Sequence, residues 1–312
     1  MKFLIGLFAN LPLPANHLLG AWLGRLVYRL SRRYRLRIEA NLALYAGHVR
    51  LDADQLVLLR AAAVREAGKG FTELAVAWMA PVDAAYGLVR QCSGWDHVAE
   101  AEARGKGIIF VTPHLGCYDI AGRYLESRLP VMALYRPPKA QWLEGVMQAG
   151  RVRGEGATAQ ANAGGVRALL RTLKKGGNII ILPDQVPAAE QGGEGVWVDF
   201  FGRPAYTMTL LGRLAQSTGA TVLYFFGERL PGGTGYHVRI EPMSEPFSED
   251  RTVAARQTNA MVEKLVRMAP AQYLWGYNRY KHPAGAPLPP DVPDAPNGPG
   301  TPDTTKSPAT PS

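Results

Sequence analysis

Hydrophobic runs alternate with segments of helical periodicity through the middle of the chain. Short continuous apolar runs are typical of buried strands, whereas apolar residues that recur every three or four positions favour helices. The predicted strands cover residues 107–112, 131–135, 178–182, 221–226 and 236–240. The predicted helices cover about 52–80, the segment from the first strand to about 128, a segment around 166–173 that stops at two glycines, 207–217 and about 250–268. Such alternation predicts an α/β fold with a mainly parallel sheet flanked by helices.

The N-terminal pattern is different, because apolar and basic positions are separated along the chain. Residues 3–24 contain no Asp, Glu, Lys or Arg, and the first acidic residue is Glu39. A bilayer span needs roughly 20 apolar residues, but Pro12, Pro14 and several polar residues interrupt this one. Six arginines follow it: Arg25, Arg29, Arg32, Arg33, Arg35 and Arg37. We predict a membrane-anchoring helix that lies in the interface or spans it once, with its arginine-rich end in the cytoplasm.

Two other interpretations of the N-terminal pattern stay open. An ordinary core helix followed by a solvated basic face, or by a nucleic-acid-binding arm, would show the same order of residues. A cleaved signal peptide fits less well, because its apolar core at 3–8 is short and no persuasive cleavage site follows.

The C-terminal end is rich in small residues and proline. From Pro283 onward there is almost no large apolar side chain, so this stretch cannot bury enough surface to order itself. The predicted organisation is therefore a membrane anchor with a basic juxtamembrane segment at 1–46, a globular domain at 47–281, and a disordered Pro-rich tail at 282–312.

Composition narrows the classes of partner and site. The formal net charge is +9, and the tail holds Lys306 against three aspartates, so its charge of −2 leaves +11 on the rest. Such a surface favours acidic partners, whether nucleic acid, anionic lipid or an acidic carrier protein. With only Cys92 and Cys117 present, and no spaced cluster among the 6 histidines, we predict neither a disulfide framework nor a metal site.

The candidate chemistry lies in the stretch VTPHLGCYD, which follows the first predicted strand. Sites in open α/β sheets gather beyond the carboxyl ends of strands. On one regular helix His114 and Asp119 would lie about 140° apart, so they can meet only if His114 lies in a loop that turns at Gly116. Asp119 would then hold one imidazole nitrogen while the other faces a substrate hydroxyl. The alternative is a loop histidine near a helix start, with Asp119 placed there for the helix dipole.

Other catalytic motifs are absent from the sequence. There is no phosphate-binding loop, no G-x-S-x-G nucleophile elbow and no H-E-x-x-H metal helix. Cys117 lies inside the stretch, but its neighbours offer no activating base, so a small buried residue is the better interpretation.

These features together resemble the glycerolipid acyltransferase superfamily, and more specifically the late acyltransferases of lipid A biosynthesis, the lauroyl and myristoyl transferases. The resemblance runs from about residue 11 to 281. It is carried, in order, by LPLPANHLLGAWLGRLVYRLSRRYR, EANLALY, VTPHLGCYD, GVRALLRTLKKGGNIIILPDQ, VWVDFFGRPAYTMTLLGRLAQSTGA and QYLWGYNRYK. One departure is that the lipid A enzymes usually carry Glu where this chain has Asp119, the residue that glycerolipid enzymes use.

The resemblance implies a glycerolipid-acyltransferase-like domain that transfers a fatty acyl group from an acyl carrier protein or coenzyme A thioester to a lipid hydroxyl. His114 would be the general base and Asp119 its orienting partner. Arg151 would stabilise the developing oxyanion or bind a phosphate, and Arg153 could serve the same part; the alternative for both is a solvated helix charge. Asp184 and Gln185 would shape the acceptor pocket, or simply form a turn after a strand.

The resemblance also implies the protein's surroundings. It implies no cofactor, an acyl donor and a lipid acceptor as partners, no nucleic acid, and a place on the cytoplasmic face of the cell inner membrane. Two alternatives stay open: a lysophospholipid acyltransferase, which Asp119 would suit, and a basic membrane-binding protein without catalytic activity.

Overall fold

The computed structural model describes residues 8–135, 157–189 and 193–289, and its first elements are three long helices. These are α1 (Leu13–Leu30), α2 (Arg32–Val49) and α3 (Ala53–Met79). Helix α3 begins as predicted, because Asp52 and Gln55 form a reciprocal capping box that satisfies two backbone N–H groups at its start.

Helix α1 packs closely along α3 because glycines let the two backbones approach. A Cβ atom on Gly68 would lie 1.9 Å from the carbonyl oxygen of Gly20, and one on Gly24 would lie 2.3 Å from that of Val64. The opposite face of α1 leaves Leu18 73% exposed and Trp22 55% exposed.

The membrane-spanning form of the predicted anchor is not confirmed. Among the residues that the structure describes, no helix combines the length and the apolar character that crossing a bilayer requires. Helix α2 contributes Ile38 and Leu42 to the main hydrophobic core, and the predicted boundary at residue 46 falls inside this helix. The N-terminal helices therefore pack as part of the same body as the sheet.

The central sheet has seven strands with helices between them. The strands are β1 (Val89–Ser93), β2 (Ile108–Val111), β3 (Val131–Tyr135), β4 (Ala157–Gln160), β5 (Asn178–Ile181), β8 (Thr221–Arg229) and β9 (Tyr236–Pro242). Strands β6 and β7 form a separate hairpin, described below. Their order across the sheet is β1-β9-β8-β2-β5-β3-β4. All neighbours are parallel except β8 and β9. The predicted mainly parallel α/β sheet is confirmed.

Helices and a hairpin complete the described part of the chain. The helices are α4 (Val82–Tyr86), α5 (Trp95–Ala103), α6 (Tyr118–Glu126), α7 (Ala163–Lys174), α8 (Leu210–Thr218) and α9 (Arg251–Met268). The hairpin consists of β6 (Gly195–Phe200) and β7 (Arg203–Met208), paired antiparallel. The helix predicted from 207 starts later, because Thr207 belongs to β7. Strands β1, β4, β6 and β7 were not among the sequence predictions.

Contacts continue past the predicted start of the tail. His282 stacks on Trp197 of β6 with the two rings 7° apart, and the Trp197 Nε1–H donates to the carbonyl of Pro287 at 2.8 Å. Pro283 is buried. The chain is thus packed against the hairpin beyond residue 282, and positions 290–312 lie outside the described residues.

Candidate active site

The sheet register brings His114 and Asp184 together. Strands β2 and β5 are parallel neighbours, and Val111 pairs with Ile181 at their carboxyl ends. The ladder continues one residue further, where Thr112 N–H donates to the Ile181 carbonyl at 3.1 Å. His114 and Asp184 are each three residues past these paired ends, so the two chains deliver them to the same edge of the sheet.

The carboxylate of Asp184 accepts both N–H groups that His114 presents to it. The backbone N–H of His114 donates to Oδ2 at 2.9 Å, and the ring Nδ1 lies 2.8 Å from Oδ1. Burial of Asp184 opposes its charge, but the adjacent His114 and the bonds from it hold the pKa of Asp184 below its usual value. An ionised carboxylate at Nδ1 fixes the proton on that nitrogen and leaves the lone pair on Nε2.

A second layer of buried groups supports Asp184. Arg279 is 3% exposed and its charge also favours the ionised form of Asp184. Its Nη1 donates to the Tyr206 carbonyl at 2.7 Å, and its Nη2 donates to Thr207 Oγ1 at 2.7 Å. Burial and the neighbouring Asp184 carboxylate raise the pKa of Tyr273 well above its usual value, which keeps the phenol protonated. This support ties the site to the β6–β7 hairpin.

Gln185 lies against the other imidazole nitrogen. Its Nε2 is 3.1 Å from His114 Nε2, so the amide can donate to the lone pair of the neutral ring. The Tyr118 ring packs edge-on against the imidazole, with centroids 5.0 Å apart. The Nε2 lone pair thus faces a hydrogen-bond donor, the amide of Gln185.

Asp119 lies at the helix start where the sequence predicts it, but another carboxylate bonds the imidazole. It lies in the first turn of α6, and the chain does turn at Gly116, whose φ of 59° is in the left-handed region. However, the bond to the imidazole Nδ1 comes from Asp184, because the neighbouring strand places that carboxylate three residues past its own end. Asp184 therefore holds the orienting position that the sequence assigned to Asp119.

A cavity of about 510 Å³ opens beside the imidazole, in the range of small-molecule sites. Helix α3 supplies one wall with Phe71 and Leu74, and α1 supplies Leu23 and Val27. His114 and Asp119 both border this cavity, as do Glu66, Glu73 and Arg229. The histidine and the predicted aspartate therefore share one cavity, although a different carboxylate holds the ring.

A buried ion pair that the sequence patterns did not predict also borders this cavity. Glu73 of α3 is 0% exposed and accepts from Arg229 Nε at 2.9 and 2.8 Å, from Tyr236 OH at 2.9 Å, and bonds His17 Nε2 at 2.6 Å. Burial raises the pKa of Glu73, but Arg229 and His17 outweigh this and hold it below its usual value. The signal was Glu73 as the one charged residue in the stretch 70–80, because a charge buried among apolar residues must have partners.

The remaining candidates divide into a structural one and two that cannot be placed. Cys117 is buried, and burial followed by the nearby Glu73 charge raises the pKa of its thiol well above the usual value, so it is a poor nucleophile. Arg151 and Arg153 lie outside the described residues. Within the described ranges, no group of three or more His, Cys, Asp and Glu side chains could hold a metal ion.

Known proteins are similar in sequence to this chain along nearly its whole length. Residues 2–282 match the family of bacterial lipid A biosynthesis acyltransferases. The lipid A biosynthesis lauroyltransferase of Escherichia coli (strain K12) is 27% identical over 284 residues, 90% of each chain. The palmitoleoyltransferase of the same strain is 28% identical over 278 residues, 88% of each chain. A lipid A biosynthesis acyltransferase of Haemophilus influenzae is 29% identical over 263 residues, 82% of this chain and 77% of the relative. The chain belongs to the bacterial lipid A biosynthesis acyltransferase family, and it is an acyltransferase.

Proposed function

We propose that this enzyme transfers a fatty acyl group from an acyl carrier protein or coenzyme A thioester to a hydroxyl of a lipid A precursor, with His114 as general base. One observation carries the proposal. The imidazole is bonded to a buried carboxylate through Nδ1, and it borders a cavity whose walls are largely apolar. A positioned base beside a cavity suited to a fatty chain is what acyl transfer to a lipid hydroxyl needs.

In the proposed step, His114 Nε2 takes the proton of the acceptor hydroxyl while the hydroxyl oxygen attacks the thioester carbonyl. A C–O bond forms, the C–S bond breaks, and the leaving thiolate takes the proton from the imidazolium. Asp184 stabilises the imidazolium through Nδ1–H. Because Gln185 lies 3.1 Å from Nε2, the acceptor hydroxyl must displace its amide.

Arg151 and Arg153 keep the roles that the resemblance implies, whereas Asp119 takes a different one because Asp184 bonds the imidazole. Asp119 is proposed as a second catalytic carboxylate, because it borders the same cavity as His114. Arg151 is proposed to stabilise the oxyanion of the thioester carbonyl or to bind an acceptor phosphate. Arg153 is the proposed neighbour in the same role, since guanidinium groups bind phosphates through paired N–H donors.

The net charge of the chain and the exposed apolar residues of helix α1 support the proposed partners and location. A body with a charge of +11 suits an acidic carrier protein. Helix α1 exposes Leu18, Trp22 and Leu30 close to the arginines that follow it, which is the arrangement of a helix lying in a membrane interface. We therefore propose binding at the cytoplasmic face of the inner membrane, where the lipid acceptor reaches the cavity.

The first prediction tests the reaction and its base. Purified enzyme is given an acyl carrier thioester or an acyl coenzyme A, with an underacylated lipid A precursor or lysophosphatidic acid as acceptor. We expect one secondary acyl chain to be added to lipid A, far faster than to lysophosphatidic acid. His114→Ala should lower kcat by about two to four orders of magnitude, the range for a positioned base. The fold should persist, because Arg279 still faces Asp184.

Lipid composition provides the check inside cells. Deleting the gene should yield lipid A lighter by one acyl group in mass spectra. Unchanged lipid A together with a lost phospholipid would contradict the lipid A acceptor but not the acyl transfer. Normal turnover by folded His114→Ala would contradict the base.

A further inference from the structure

Arg229 joins the buried Glu73 cluster to the loop that carries the general base. It is the last residue of β8 and is 6% exposed. Its Nε bonds both oxygens of Glu73, while its Nη2 donates to the carbonyl of Gly116 at 3.0 Å. Gly116 lies between His114 and Asp119, in the segment 112–117 that we call the His114 loop. One guanidinium therefore contacts both helix α3 and this loop.

Two backbone hydrogen bonds also hold the His114 loop, at Gly116 and at Cys117. The Gly116 N–H donates to the Gln272 carbonyl at 3.1 Å, and the Cys117 N–H donates to the Gly227 carbonyl at 2.8 Å. A Cβ atom on Gly116 would lie 2.0 Å from the Gly227 carbonyl oxygen. Gln272 in turn accepts from the Arg229 N–H through Oε1 at 2.8 Å. The position of the loop thus depends on β8 and on Gln272, and Arg229 is a side chain that bonds both α3 and the loop.

A contribution to stability does not by itself explain the buried ion pair between Arg229 and Glu73. A buried ion pair can often be replaced by apolar residues without loss of stability, because desolvation offsets the attraction. What apolar residues cannot supply is a planar set of donors that bonds a carboxylate on one side and a carbonyl on the other. Gly70 of α3 leaves room for this geometry, since a Cβ atom there would lie 3.0 Å from Arg229 Nη2.

The same cluster includes helix α1. His17 of α1 is 4% exposed and bonds Glu73 at 2.6 Å. Since α1 packs on α3 through glycine contacts and exposes Trp22 on its other face, a shift of α1 changes the contact of His17 with Glu73. A continuous chain of bonded groups runs from α1 through His17, Glu73 and Arg229 to the Gly116 carbonyl.

We propose that Arg229 is a positioning residue that fixes the His114 loop for acyl transfer. Through Glu73 and His17, it also couples the geometry of this loop to the position of helix α1 on α3. The proposal rests on the proposed function of His114. It assigns Arg229 no contact with the reacting atoms.

The test separates positioning from stability with matched variants of the full chain. Arg229→Lys keeps a positive charge beside Glu73 but cannot bond Glu73 and the Gly116 carbonyl with one planar group. Its control is Arg239→Lys, because Arg239 pairs with Glu228 at 2.6 Å on the neighbouring strand and does not border the cavity. We expect Arg229→Lys to lower kcat by about tenfold or more with KM for the donor within about threefold. The control should match wild type.

A second pair of variants keeps the test decisive if Arg229→Lys folds poorly. Gly70→Ala favours helix α3 by propensity, worth up to about 1 kcal/mol, yet it crowds Arg229. We expect an unchanged or higher thermal midpoint and a lower kcat. Gly47→Ala in α2, where a Cβ atom meets nothing within 4 Å, should raise stability by a similar amount at unchanged kcat. His17→Phe should lower kcat by less than Arg229→Lys does.

Hydrogen–deuterium exchange of the His114 loop gives a readout that does not depend on the substrate. Amides in residues 112–117 should exchange faster in Arg229→Lys and His17→Phe than in wild type, while the β2 amides stay protected. Unchanged exchange there, or activity that falls only with the folded fraction, would overturn the positioning role. Failure of the proposed function has a different signature, since wild type would not acylate lipid A although these exchange differences remain.

Discussion

Two N–H groups of His114 bond different oxygens of the Asp184 carboxylate, and an amide in the same place would offer an acceptor oxygen to only one of them. In Asp184→Asn, either a buried N–H group loses its acceptor or the ring proton moves to Nε2, where it removes the base lone pair. We expect kcat to fall by about two to four orders of magnitude. Steady-state kinetics on enzyme of verified fold measure this. Activity within about threefold of wild type would contradict the orienting role.

Acid unfolding of the same variant tests the ionisation of Asp184. Its pKa is lowered in the folded state, because His114 and Arg279 outweigh the burial that opposes the charge. A depressed carboxyl pKa adds stability that is fully present above the unfolded-state pKa of about 4. That stability is lost as the pH falls through the folded-state pKa. Asp184→Asn should therefore lose less stability than wild type over that acidic range, in denaturant titrations at each pH.

Gln185 permits a test of which protonation state of the ring is active. In Gln185→Glu, a carboxylate replaces the amide that lies 3.1 Å from His114 Nε2, and its charge favours the protonated imidazolium. The acid limb of the pH–rate profile should then move to higher pH, so that turnover near neutrality falls and recovers as the pH rises. Gln185→Ala is the control and should leave the limb in place. An unmoved limb in both variants would argue against Nε2 as the base.

At the scale of a single element, helix α3 allows its stability to be varied away from the cavity. The Asp52 carboxylate accepts from the Gln55 N–H at 2.8 Å, and Gln55 Oε1 accepts from the Asp52 N–H at 3.0 Å. Asp52→Ala should lower the free energy of unfolding by about 1 kcal/mol, the usual cost of a lost cap. Since this end of α3 does not border the cavity, kcat at low temperature should not change. Urea titration and kinetics on the same preparation decide the matter.

Membrane binding is a property of the whole molecule, because the charge that supports it is spread over helices α1 and α2. Changing Arg29, Arg32, Arg33, Arg35 and Arg37 to glutamine should weaken sedimentation with anionic vesicles, and added salt should weaken wild-type binding in the same way. Equal binding to neutral and anionic vesicles at all salt concentrations would remove the electrostatic part of the proposal. Truncation before residue 30 is expected to give insoluble protein, because it removes the helix that packs on α3.

The sequence alone determined most elements of the sheet, and it pointed to the candidate site. Apolar runs such as 178–182 and the glycine stop at 176–177 are local signals, because strand and helix periodicity depends on neighbours along the chain. The histidine after the first predicted strand could be found because sites gather at the carboxyl ends of parallel strands. Short or half-exposed strands such as β1 and β4 lack a strong period, and they were missed for that reason.

Only the tertiary structure decided which groups act on one another. His114 and Asp184 are 70 positions apart, and only the pairing of β2 with β5 shows that their strand ends coincide; the proline before each residue, in TPH and LPD, was the one local hint. The bond from Arg229 to the Gly116 carbonyl spans 113 positions, and that between Arg229 and Glu73 spans 156. Sequence patterns indicate which residues are buried, but the packing of the sheet and helices decides which group becomes the partner of a buried charge. A hydrogen bond requires contact at about 3 Å, and no local sequence pattern shows which distant residue will make that contact.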